Sequence, residues 1–201
     1  MPVRRPAGLP TEIEGEAMSF LRFLGGRASD APVVGPAPTA ETEAVRRIVA
    51  RLEALPPEQA RLLAGMAYVL ARAAYADLAI SDAETAAMEH ELSASGLDES
   101  QAVLVAEMAK LQEKTAGGTS DYLVTREFRE LSTPEQRLTV LRACYRVCAA
   151  DDSISGTESA TLDEIASELD VTREEAAAIR AEFADRISAR LGFGSFSGGQ
   201  G

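Results

Sequence analysis

The chain repeats one short phrase. Residues 75–88 read YADLAISDAETAAM and residues 149–162 read AADDSISGTESATL. Asp77 falls on Asp151, Ile80 on Ile154, Ser81 on Ser155, Glu84 on Glu158 and Met88 on Leu162, each pair 74 positions apart. The same offset carries LDESQA (97–102) onto VTREEA (171–176), and Val105 onto Ile179. Two copies of so long a unit do not make a solenoid. They predict one domain built from two pseudo-symmetric halves.

Each half opens on a long apolar segment. PPEQARLLAGMAYVLARAAYAD (56–77) and TPEQRLTVLRACYRVCAAD (133–151) both place proline where a helix begins and end in Ala-Asp. The first is apolar nearly all round, which predicts a central buried helix, while the second carries a stripe through Leu138, Leu141, Cys144, Tyr145 and Cys148. Alanine is abundant, aromatics are 5% of the chain and tryptophan is absent. That balance suits helices packed through small side chains, not a β-sandwich. The pattern predicts helices over 57–76, 82–95, 98–114, 120–131, 133–150, 156–169 and 172–190, and no strand. The expected architecture is an all-α, seven-helix domain over 41–191, with repeats at about 57–114 and 133–190.

Outside that domain, 1–40 reads as a short helix (TEIEGEAMSFLRFL, 11–24) followed by a Pro/Ala/Gly linker, and 192–201 as a disordered tail. A further helix is expected at about 41–55. The Met18–Leu24 end of the first helix is apolar and is a candidate surface for a protein partner.

The formal net charge is −12. A field of that sign repels phosphate backbones and argues against nucleic acid as a partner. From Asp77 to Glu99 the chain carries acids and no lysine or arginine, and 151–175 is similarly acidic, with Arg173 the exception. Pseudo-symmetry would put both runs on related faces, giving an acidic surface suited to a basic protein partner. Arg4 and Arg5 are followed by acids, not by an apolar run, and no segment is long and apolar enough to predict a membrane span. A cytoplasmic location is expected. Cys144 and Cys148, four apart on one helix face, read as small core hydrophobes. His90 has no nucleophile or second histidine near it, and no catalytic signature occurs, so a non-enzymatic protein without an organic cofactor is expected.

Two readings of the repeated phrase stand side by side. Ser81–Glu84 and Ser155–Glu158 fit S-x-x-E, the capping box, so serine and glutamate are explained as a helix-joining corner. The aspartates are not. Asp77 and Asp151 follow a helix C-terminus, where a negative charge costs roughly 0.3–1 kcal/mol. A bound cation, an Asx-turn or a basic neighbour would offset this. Under the cation reading, Asp77 with Glu84, and Asp151 with Asp152 and Glu158, offer oxygen ligands of the kind Ca, Mg or Mn takes. Asp152 adds a carboxylate where the first copy has Leu78, so the second site is expected to be the stronger. Under the other reading the chain is a metal-free acidic helical adaptor.

Ala-Asp, then Ile-Ser, then glutamate seven residues after the aspartate, twice over, resembles the TerB-like family of tellurite-resistance proteins and the related N-terminal region of a membrane-attached DnaJ-type co-chaperone. The resemblance covers about 57–190. It implies an all-helical fold, a stress- or tellurite-resistance role, and metal chelation by the acids of a motif close to A-D-G-x-I-x-x-x-E, here Asp77, Glu84, Asp151 and Glu158. The motif's glycine is Leu78 in one copy and Asp152 in the other. If that position needs a positive φ, leucine is costly there. His90 is followed by Glu-Leu, so the chain carries no J-domain signature.

Overall fold

The computed structural model describes residues 47, 48, 50–116 and 119–187. The short helix expected at 11–24 with its Met18–Leu24 surface, the linker and the tail lie outside these residues. Helix α1 spans Pro57–Ala74, α2 Asp82–Ala94, α3 Glu99–Ala116, α4 Thr119–Leu131, α5 Pro134–Cys148, α6 Gly156–Glu168 and α7 Arg173–Glu182, with a 3-10 turn at Ala149–Asp151. Residues 47, 48 and 50–53 are helical as well. The protein is all-helical among the described residues.

Helix α1 is the axis of the domain. It packs against α2, α3, α4, α5 and α6. Ala64, Ala67, Ala71, Ala73 and Ala74 are all fully buried. Small side chains all round let neighbouring helices approach closely, which one apolar stripe could not support. Gly65 shows the limit of that approach, since a Cβ there would stand 3.1 Å from Cδ2 of Phe128 on α4. Tyr68 of this axis and, around it, Met88, Leu92, Phe128, Leu141 and Tyr145 are each buried.

The helices begin where capping chemistry directs. Ser81, Thr133, Ser155 and Thr172 each close a reciprocal box with the residue three positions on, satisfying two otherwise orphaned amides per helix.

Two expectations need correction. The last helix ends at Glu182 instead of 190. Phe183 stacks on Tyr145, with ring centroids 5.3 Å apart and planes 22° apart. Beyond it the chain turns, and the Ile154 amide donates to the Arg186 carbonyl at 2.7 Å. An isolated parallel bridge pairs Ile154 with Ile187, the single strand-like contact among the described residues. Burying Ile154 in the core and satisfying its amide outweighs another helical turn. At the other boundary, the helix expected to run to 150 gives way after Cys148 to the 3-10 turn, which brings Asp151 round to the corner.

Candidate functional site

The two corners have matching local geometry. At the first, Asp77 Oδ1 accepts the Ala79 amide at 3.2 Å. At the second, Asp151 Oδ1 accepts the Ser153 amide at 3.2 Å. Each is an Asx-turn, one of the three offsets that could make an aspartate tolerable at a helix end. Between aspartate and accepted amide the backbone turns left-handed, with φ 69° at Leu78 and 77° at Asp152. This is the position the family motif gives to glycine. The Ser81 amide then donates to Glu84 Oε2 at 2.7 Å, and the Ser155 amide to Glu158 Oε2 at 2.6 Å.

The side chains divide by depth. Asp77, Asp151 and Asp152 are exposed, while Glu84 and Glu158 are each only 5% exposed. Burial, chiefly, pushes the Glu84 carboxyl above its ordinary value. The Ser81 amide and hydroxyl pull it back, and the carboxylates of Glu158 and Asp151 raise it again. Acids 74 positions apart in sequence thus feel one another in the fold.

The residues missed by sequence reasoning stand around this pair. Cys148 is buried and gives its thiol to the Ala73 carbonyl at 3.5 Å. Burial first, then the charges of Glu158 and Glu84, raises that thiol well above its ordinary value. Its repeat-mate is Ala74, and this break in the symmetry is the signal that could have marked it. Arg186 is the second. Its Nη1 donates to Asp152 Oδ1 at 2.7 Å. Asp152, expected to strengthen the second site, is therefore engaged by a cation of the chain itself.

As a donor set, these are hard carboxylate oxygens, the chemistry of Ca, Mg or Mn sites. Among the described residues, no three His, Cys, Asp or Glu side chains stand close enough together to hold a metal ion. One oxygen of each aspartate serves its turn, and one oxygen of each glutamate serves its cap. The fit is in ligand type alone, since the acids are not gathered into a cluster of three among the described residues.

His90 is exposed on α2, where it borders a shallow groove with Glu91, Arg146, Glu182 and Arg186. The cations of that groove are paired: Arg146 makes a two-bond contact to Glu91 at 2.6 and 2.7 Å. Among the described residues no helix is long and apolar enough to cross a membrane.

Comparison with known proteins adds one finding. A family model described as tellurite resistance protein TerB matches residues 63–181, a span that contains both corners. No curated protein and no solved structure gives a significant match.

Proposed function

The chain belongs to the TerB family of tellurite-resistance proteins, and from that premise we propose a non-enzymatic, cytoplasmic protein of the tellurite- or stress-resistance type that binds a hard divalent cation at its paired acidic corners. Asp77 with Glu84 at the first corner, and Asp151 with Glu158 at the second, would offer the carboxylates. Ca, Mg or Mn suits these oxygens. The observation that carries this reading is the burial of one glutamate at each of two matching corners, with the charges of Glu158 and Asp151 reaching Glu84. Like charges withdrawn from water raise each other's energy, and a cation relieves what a capping role alone leaves in place.

The proposal extends to the origin of the domain. Matching Asx-turns, left-handed residues and capping boxes support duplication of a three-helix unit into a seven-helix, pseudo-symmetric domain, flanked by the 1–40 and 192–201 segments.

The second reading is the metal-free adaptor that recognises a basic protein partner, and it has its own support. Every acid of the motif has a partner within the chain: backbone amides for Asp77, Glu84, Asp151 and Glu158, and Arg186 for Asp152. Thermal melting of chelator-treated protein, titrated with calcium, magnesium and manganese, separates the two. At a hundredfold excess over Kd a real site adds about 2.7 kcal/mol. A saturable rise that is lost in Glu158→Gln and Asp151→Asn supports cation binding. No rise with any of the three ions leaves the adaptor.

A further inference from the structure

The two corners differ in one charge. Where α3 runs on to Ala116, α7 stops at Glu182 and the chain turns back on the second corner. Arg186 is fixed there by its backbone: its carbonyl accepts the Ile154 amide at 2.7 Å, and its amide donates to the Phe183 carbonyl at 2.9 Å. Phe183 in turn is stacked on Tyr145. The position 74 places earlier, Gln112, is uncharged and still inside α3.

From that anchor the guanidinium reaches into the corner. Its Nη1 donates to Asp152 Oδ1 at 2.7 Å and to the Ala149 carbonyl at 3.5 Å. Its Nε lies 3.7 Å from Asp185 Oδ2. Ala149 opens the 3-10 turn that follows α5, so the positive charge stands at the C-terminal end of a helix, where a cation is favoured. The first corner is built differently. Asp77 and Glu84 accept backbone amides of the corner itself. Lys110, which reaches the start of α2 at Thr85, pairs with Glu107. Among the described residues no lysine or arginine pairs with Asp77 or Glu84. An Asx-turn therefore serves both corners, and a basic neighbour has been added at the second alone.

We propose that Arg186 is the second corner's own counter-ion, and that it turns an external divalent cation away from Asp151 and Glu158 toward the first corner. The inference rests on the cation reading of the corners given above. The competition is electrostatic. A guanidinium held on Asp152 repels an incoming dication, and it already engages one oxygen of the carboxylate that the first corner lacks. The Asp152 side chain is 91% exposed and that of Arg186 42%, so water screens the repulsion, and Arg186 lowers the affinity instead of closing the site. A difference of about tenfold between the corners is expected at low ionic strength, shrinking as salt is added. This inverts the order that the number of carboxylates alone predicts.

The test is a manganese titration of the full chain in low salt, read by paramagnetic broadening of assigned backbone amides. Broadening at 77–84 ahead of 151–158 is the expected result in the wild type. In Arg186→Gln the second corner is expected to respond at about tenfold less manganese, with the first unchanged. Arg186→Lys keeps the charge and is expected to follow the wild type. A second corner that responds as early as the first in the wild type, or that Arg186→Gln does not move, overturns the role of Arg186 and leaves the cation reading standing. No site-specific broadening at either corner, in wild type and Arg186→Gln alike, overturns the cation reading and this inference with it. The comparison of the two corners within the wild type stands even if a variant fails to fold.

Discussion

Leu78 and Asp152, 74 positions apart, occupy the same left-handed place in two corners, with φ 69° and 77°. Only one of them suits it. Aspartate tolerates left-handed backbone, while leucine meets a Cβ clash worth roughly 1–2 kcal/mol. Leu78 is also 76% exposed, so its side chain recovers little by packing. Leu78→Gly is expected to stabilise the chain by about 1 kcal/mol. Asp152→Gly, which loses the Arg186 bond, is expected to be near neutral. Urea denaturation of the two variants checks the contrast.

The capping boxes set a second expectation. Ser81→Ala and Ser155→Ala each remove the side-chain acceptor for a buried glutamate's amide. A loss of about 1 kcal/mol apiece is expected. If the corners are coupled through Glu84 and Glu158, the double variant will lose an amount different from the sum of the two. Strict additivity would show the corners to be independent.

Glu84 links the site to pH. Its carboxyl lies above the ordinary value because of burial first and neighbouring acids after. A raised folded-state value means the proton is held more tightly in the folded chain. The associated stability is fully present below the unfolded-state value and is lost as pH rises through the folded one. Glu84→Gln keeps a side chain able to close the box and removes the charge. In chelator the variant is expected to melt higher than wild type at neutral pH and equally at low pH, by thermal scans across that window.

Arg72 ties three helices together. It is 7% exposed, donates to Thr125 and Glu168, and pairs with Glu164 and Asp121. Arg72→Met leaves these acids facing a buried apolar side chain, and a loss of about 3 kcal/mol or more is expected. Arg142→Ala, whose pairing with Glu182 is exposed, should cost less than about 1 kcal/mol. Paired urea melts measure the difference.

The cysteines should be silent while the chain is folded. Both are buried, and burial pushes the Cys144 thiol up to about 12. Since the thiolate is the reactive form, neither is expected to react with a thiol reagent at about pH 8 until the chain is denatured. Reaction of one thiol in the native chain would show that α5 opens locally.

Much of this was already legible in the residues. Ser–Glu and Thr–Glu spacings within four positions establish where helices begin, because the bonds they make are local and survive any packing arrangement. The central helix was legible too, since a segment apolar nearly all round has nowhere to go but inside. The aspartates were half legible: their position announced a charge needing an offset, and the Asx-turn that meets it is again a bond across two residues.

What the sequence could not state lies between elements. The end of the last helix depends on Phe183 finding Tyr145 and on an amide of Ile154 needing the carbonyl of Arg186, partners more than thirty positions away. The approach of Glu84 to Glu158, the intrusion of Cys148, and the engagement of Asp152 by Arg186 are of the same kind. Repetition told that there are two corners; only packing around α1 decided that their glutamates share one field. Local hydrogen bonds are written in spacing, whereas burial and long-range charge exist only once the helices have been set against each other.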